Sequence, residues 1–225
     1  MFSTRRNHNL NVQHLKGSLE LEIRIGERIR SVTHSNDWII AATESSLRVF
    51  SAITKMEYDS IPCPDVRYMA IFESKLLTIS GLGLIVTWDL ERSNGILSTS
   101  DIPPEVVSCC TTQFDGRIRI YCGFKKGVIR LYEWKDDCIN ELDEMSTGST
   151  EWISCLTYLP VSRLLAAGSW DSRVYLIDET GTCQRTLQQT SAPLSILSHN
   201  SNSFICGAYD GSVTLHSFSL PSTSW

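Results

Sequence analysis

One pattern recurs five times along the chain and constrains its fold more than any other feature. Each copy contains an apolar pair, a small residue, a polar turn and an alternating apolar strand. The last strand residues of the five copies are Phe50, Trp88, Tyr132, Ile177 and His216. Successive positions in this series are 38, 44, 45 and 39 residues apart. Such regular spacing is typical of proteins built from stacked supersecondary units. The sequence therefore predicts a repeat protein in which these five positions are structural.

The residues around each copy predict four short strands per repeat. A shorter apolar run precedes every copy, and a candidate outer strand follows each of the first four. Side chains alternate with a period of two, and no segment longer than ten residues shows a helical apolar stripe. The chain is therefore predicted to be all-β, with antiparallel sheets near residues 29–60, 66–100, 106–143, 152–187 and 194–218.

Three segments carry a resemblance to a known family. They are LIVTWDL (84–90), which contains Trp88-Asp89, GSWDSRVYLID (168–178) and GAYDGSVTLHSF (207–218). In these segments the chain resembles the WD40-repeat family. The resemblance implies a β-propeller of about five four-stranded antiparallel blades, and it covers roughly residues 29–218.

The chain departs from the family pattern at the polar network of each repeat. The family usually joins a Gly-His histidine, a turn Asp, a strand Ser or Thr and a Trp by hydrogen bonds, and this sequence has no Gly-His. Asp171 and Asp210 match the turn Asp, but their repeats end in Ile177 and His216. Trp88 has no turn Asp in its own repeat. The network is therefore expected to be missing from every blade.

The two ends of the chain leave the closure of the propeller open. Residues 1–18 are predicted to form a flexible basic tail, and residues 19–225 the propeller domain. The alternating strand 19–25 either closes the last blade or belongs to a blade that is missing. The chain then forms either a ring of five blades or an incomplete propeller. Open blade edges in an incomplete propeller would favour self-association.

No motif of a catalytic, cofactor or metal site is present in the sequence. It has no nucleophile elbow, phosphate-binding loop or paired Cys/His cluster. We therefore expect no catalytic residue, cofactor or metal. The eight cysteines contain no CxxC pair, which favours reduced thiols and a cytoplasmic or nuclear protein. No apolar run is long enough to span a membrane as a helix.

A non-catalytic scaffold that binds other proteins, as a subunit of a multiprotein complex, is the function that the resemblance implies. Aligned turns and the segments leading into blades supply the predicted binding face, which comprises Trp170, Tyr209, Lys125, Trp152, Glu44 and Arg67. Exposed aromatic side chains are typical of protein-binding hot spots. Alternatively, the rings of Trp170 and Tyr209 could cover the core of their own blades.

A basic stretch supports a second function class. Residues 117–130 contain five basic residues and no acidic one. They suggest an RNA-processing or chromatin-complex subunit that contacts nucleic acid, although the net charge of −5 argues against a whole-surface footprint. The simpler interpretation is a solvated blade edge with paired charges. A third class, a propeller-type enzyme, has no residue pattern to support it.

Overall fold

The structure is a computed structural model, and it describes residues 2–4, 9–13, 19–92, 95–114, 116–200 and 203–218. Its regular structure is almost entirely antiparallel β-sheet, with a single short 3₁₀ turn at Lys125–Gly127 among the described residues. The chain divides into two compact units, residues 1–104 and 105–225. The predicted all-β architecture of repeated antiparallel blades is therefore confirmed.

The first unit contains an N-terminal sheet and two blades. The N-terminal sheet consists of β1 (Phe2–Thr4), β2 (Asn9–Gln13) and β3 (Leu19–Arg24). Blade 1 consists of β4 (Ser31–His34), β5 (Trp38–Ala42), β6 (Ser46–Ser51) and β7 (Glu57–Pro62). Blade 2 consists of β8 (Val66–Phe72), β9 (Lys75–Ser80), β10 (Leu84–Asp89) and β11 (Gly95–Asp101). In both blades the strands pair in chain order.

The second unit contains three further blades. Blade 3 consists of β12 (Ser108–Phe114), β13 (Arg117–Gly123), β14 (Val128–Lys135) and β15 (Cys138–Ser146). Blade 4 consists of β16 (Ile153–Leu159), β17 (Leu164–Ser169), β18 (Arg173–Ile177) and β19 (Cys183–Gln188). Blade 5 has three strands in the described part of the chain, β20 (Pro193–Asn200), β21 (Ser203–Ala208) and β22 (Val213–Ser217).

The N-terminal sheet differs from the sequence-based expectation. Strands β1 and β2 lie in the segment that was expected to be a flexible tail. Polar and apolar residues alternate in β2, as they do in β3, with Leu10 and Val12 as the apolar residues of β2. The two strands pair with Leu10 opposite Ile23 and Val12 opposite Leu21. This pairing places residues 19–24 in an N-terminal sheet.

Burial follows the position of a strand within its blade. The second strand of each blade is the most buried, and all six residues of β17 are buried. The outer strand β19 is exposed at five of its six residues. Inner strands are covered on both faces by apolar side chains, whereas an outer strand presents one row of side chains to water. The core therefore lies between the sheets.

The five structural repeat positions belong to this core to different degrees. Phe50, Trp88, Tyr132 and Ile177 are buried. His216 is half-buried and stacks on Phe204, with ring centroids 5.0 Å apart. Its Nε2 lies 3.0 Å from Thr214 Oγ1 and 3.1 Å from Gln189 Oε1. Burial lowers the pKa of His216, which favours its neutral form.

Blade 2 retains one link of the polar network that was expected to be missing. Trp88 Nε1 donates a hydrogen bond to Thr78 Oγ1 at 3.0 Å, and the Thr78 hydroxyl donates to the Val86 carbonyl at 3.3 Å. The Trp88 and Thr78 side chains are almost fully buried. The hydroxyl is thus the acceptor that lets an indole N–H lie inside the blade.

Glycine allows close contact between the blades of the second unit. A Cβ atom on Gly168 would lie 2.5 Å from Cys155 Sγ and 2.7 Å from Pro193 Cβ. Gly207 occupies the corresponding strand position in blade 5, where a Cβ would meet only the Ser195 hydroxyl, at 3.0 Å. The space around position 168 is therefore tighter than that around position 207.

This difference predicts unequal costs for two matched substitutions. Gly168→Ala should lower the free energy of unfolding by roughly 1–3 kcal/mol, because overpacking displaces neighbouring atoms. Gly207→Ala should cost clearly less, because a hydroxyl can rotate away. Urea-induced unfolding of both variants measures the effect, and equal losses of stability would contradict the packing argument.

The Trp88–Thr78 hydrogen bond generates a second prediction. Thr78→Val should lower the free energy of unfolding by about 1–3 kcal/mol, because it leaves a buried indole N–H without its acceptor. In a Trp88→Phe background the same substitution should cost much less, since no donor remains. A double-mutant cycle measured by denaturant unfolding gives the coupling; additive costs would show that the bond does not stabilise blade 2.

Candidate functional site

Four of the six predicted binding-face residues lie in the second unit. Trp170 and Tyr209 occupy the turns between the second and third strands of blades 4 and 5, and Trp152 lies just before β16. The side chains of Trp152, Trp170 and Tyr209 are 45%, 44% and 68% exposed. We refer to these three residues as the aromatic strip. A large part of each of these side chains therefore lies at the surface.

Backbone hydrogen bonds hold the aromatic strip on a fixed base. The Trp170 N–H donates to the Trp152 carbonyl at 3.0 Å, and the Tyr209 N–H donates to the Ala192 carbonyl at 2.9 Å. The rings of Trp170 and Tyr209 contact each other across two blades, with centroids 5.8 Å apart and an interplanar angle of 50°. The side chains are therefore presented by ordered turns, which lowers the entropy lost on binding.

The two turn aspartates maintain the shape of these turns. Asp171 accepts hydrogen bonds from the Arg173 N–H at 3.1 Å and from the Tyr175 hydroxyl. Asp210 accepts from the Ser212 N–H at 2.9 Å and from the Thr190 hydroxyl at 3.0 Å. Hydrogen bonds from Ser212 lower the pKa of Asp210. The aspartates thus stabilise the turns through local donors.

Lys125 extends the aromatic strip with a positive charge. Its ammonium nitrogen lies 4.9 Å from the centroid of the Trp152 ring and 2.9 Å from Glu105 Oε1. A cation at this distance from an indole face is attracted by the ring quadrupole. The contact helps to orient the Trp152 indole, and the side chain remains 45% exposed. The surface combines large apolar area with nearby charge.

The other two predicted residues, Glu44 and Arg67, lie in the first unit. Glu44 is exposed in the turn between β5 and β6, and it forms no ion pair within the described segments. Arg67 lies in β8 and contacts Asp65, with Nε 3.1 Å from Oδ1. Arg30 binds the same carboxylate oxygen at 3.2 Å. Arg28, Arg30 and Asp65 were not among the predicted site residues, although Arg28 and Arg30 alternate in the sequence just before β4.

The basic stretch 117–130 is largely neutralised by ion pairs. Four of its five basic residues contact carboxylates: Arg117 pairs with Glu133, Arg119 with Glu179, Lys125 with Glu105, and Arg130 with Glu141 and Glu144. Three of these acids lie on the acidic segment 133–151 that follows. The pairing of neighbouring strands therefore places opposite charges side by side and leaves little net positive charge.

All eight cysteines are free thiols, and burial raises the pKa of Cys155 to about 12. In the ranges that the structure describes, no group of three or more His, Cys, Asp or Glu could hold a metal ion. No helix of the described chain is long and apolar enough to cross a membrane.

Comparison with known proteins connects this geometry to a family. The family model described as "WD domain, G-beta repeat" matches residues 137–178, which run from the outer strand of blade 3 to the third strand of blade 4. A search of curated proteins finds no match. The matched repeat contains Trp170 and Asp171, which the sequence analysis had selected.

Two solved structures show how far the fold likeness extends. The crystal structure of the computationally designed Ika8 protein matches with a TM-score of 0.76 at 18% identity, covering 96% of this chain and 67% of that one. A chain in the crystal structure of the mitotic checkpoint complex matches with a TM-score of 0.79 at 17% identity, covering 94% and 68%. At these identities the likeness concerns the fold. The chain thus contains a segment, residues 137–178, that matches the WD40 repeat, and its recurring antiparallel blades have a β-propeller fold.

Proposed function

We propose that this chain is a non-catalytic scaffold that binds another protein through the aromatic strip, as a subunit of a multiprotein complex. The observation that carries the proposal is the exposure of Trp152, Trp170 and Tyr209 on ordered turns of blades 4 and 5. Aromatic residues dominate binding hot spots because they bury a large area at small entropic cost. WD40 propellers are typically protein-interaction scaffolds, which supports the same function.

Stability alone does not account for these side chains. The core of blades 4 and 5 is already filled by buried residues such as Leu176, Phe204 and Phe218. Exposed rings of this size in contact with each other form an apolar patch, and such patches commonly mark interaction sites. At the edge of the strip, the ion pair of Lys125 with Glu105 adds polar groups beside the apolar rings.

The nucleic-acid alternative has less support from the described residues. A groove that binds nucleic acid needs unpaired positive charge along its length. Four of the five basic residues in 117–130 are instead engaged by carboxylates. The ion pairs favour the interpretation of this stretch as a solvated blade edge.

Substitutions in the strip test the proposal. Trp170→Ala and Tyr209→Ala should each weaken partner binding by roughly 1–3 kcal/mol and change the melting temperature by less than about 2 °C. The reason is that the two side chains are 44% and 68% exposed and neither belongs to the buried core cluster of blades 4 and 5. Partners recovered with the tagged full chain are compared by quantitative mass spectrometry, and the affinity of a purified partner is then measured.

Val161→Ala provides the matched control. Val161 is 69% exposed and lies in the turn at the opposite end of β17 from Trp170, so its substitution should leave binding unchanged. If both aromatic variants lost stability in step with binding, the rings would be packing elements and the proposed surface would be wrong. Equal partner recovery by all variants would also contradict it.

A further inference from the structure

A basic cavity lies in the first unit, where the segment leading into β4 approaches the start of β8. It has a volume of about 350 Å³ and is lined by Arg28, Ile29, Arg30, Ser31, Val66 and Arg67. Three of these six residues carry a guanidinium group. None of these lining residues belongs to the aromatic strip.

The charges around the cavity do not balance. Asp65 is the acid that contacts its arginines, and one oxygen of Asp65 accepts from both Arg30 Nη1 at 3.2 Å and Arg67 Nε at 3.1 Å. Arg28 forms no ion pair with any residue that the structure describes. The carboxylate of Glu27 instead accepts the Ser45 hydroxyl at 2.8 Å. Three arginines and one aspartate leave a formal charge of +2.

Asp65 also positions the two arginines that it contacts. Because each of them uses one nitrogen on the carboxylate, most of their N–H donors stay available for a ligand. The Asp65–Arg67 pair fits beside residue 81 because that residue is glycine. A Cβ atom there would lie 2.5 Å from Asp65 Oδ2 and 2.8 Å from Arg67 Nε. The Gly81 N–H donates to the Asp65 carbonyl at 3.0 Å, which fixes the loop.

We propose that this cavity binds a phosphate monoester in its dianionic form. A phosphoryl group at neutral pH carries about −1.5 to −2 charges and three acceptor oxygens, which matches the excess of +2 and the free donors. A carboxylate supplies one charge and two oxygens. Guanidinium groups bind phosphate oxygens in bidentate geometry, and the cavity is large enough for the group.

The direct test observes the arginines of the 225-residue chain by NMR spectroscopy. The chain is labelled with ¹⁵N-arginine and titrated with a phosphoserine pentapeptide, the same peptide with serine or glutamate, and inorganic phosphate. The phosphopeptide should shift the Nε–H resonances of Arg28, Arg30 and Arg67, and it should bind at least about tenfold more tightly than the glutamate peptide.

Two charge-matched variants separate a specific site from general attraction. Arg28→Gln should weaken phosphopeptide binding about tenfold without a change in melting temperature, because Arg28 is exposed. Arg92→Gln removes the same charge from a side chain that is 81% exposed, and it should bind like the parent chain. Gly81→Ala should also weaken binding, because the added methyl group displaces the Asp65–Arg67 pair.

Some outcomes of these titrations would identify the source of the phosphoryl group, and others would overturn the proposal. Tighter binding of the phosphopeptide than of inorganic phosphate would support the site and indicate a phosphorylated partner, and equal binding would support the site and indicate a free phosphate compound. Absence of shifts at the three arginines would overturn the proposal. It would also be overturned by equal affinity for the glutamate peptide, or by equal losses in Arg28→Gln and Arg92→Gln.

Discussion

The contact between neighbouring blades is the constraint on which the second unit depends. Ser108 Oγ, in the inner strand of blade 3, donates to the Ile153 carbonyl of blade 4 at 2.7 Å, and Ser154 Oγ donates to the Pro193 carbonyl of blade 5. Gly123 and Gly168 lie beside these bonds, where a Cβ would clash with the next blade. Because adjacent sheets are held at this short distance, their apolar side chains form shared buried clusters between blades 3 and 4 and between blades 4 and 5.

This packing determines what the turns can present. Turns at one end of blades 4 and 5 are tied by backbone hydrogen bonds to the segments leading into those blades, as Trp170 is to Trp152 and Tyr209 to Ala192. Large aromatic side chains can remain exposed there with a smaller ordering cost at the moment of binding. Exposed aromatic side chains on turns that backbone hydrogen bonds hold in place suit a binding surface.

Strand register also determines where charge accumulates. In blade 3, β14 pairs with β15 so that Arg130 lies opposite Glu144, and the basic stretch is neutralised by the acidic segment that follows it. In the first unit three arginines line one cavity and Asp65 pairs with two of them, so positive charge persists around the cavity. The number of basic residues in a segment therefore predicts less about ligands than the number of carboxylates that the fold brings to them.

The sequence by itself determined the all-β class, the five repeats and their buried positions, because alternation with a period of two is a local property that dictates which side chains face the core. It also indicated the turns that carry Trp170 and Tyr209. Only the tertiary structure decided that Arg119 meets Glu179, 60 positions away, that Asp65 joins Arg30 to Arg67, and that β2 pairs with β3. Those contacts depend on the packing and register of separate segments, which no local pattern encodes.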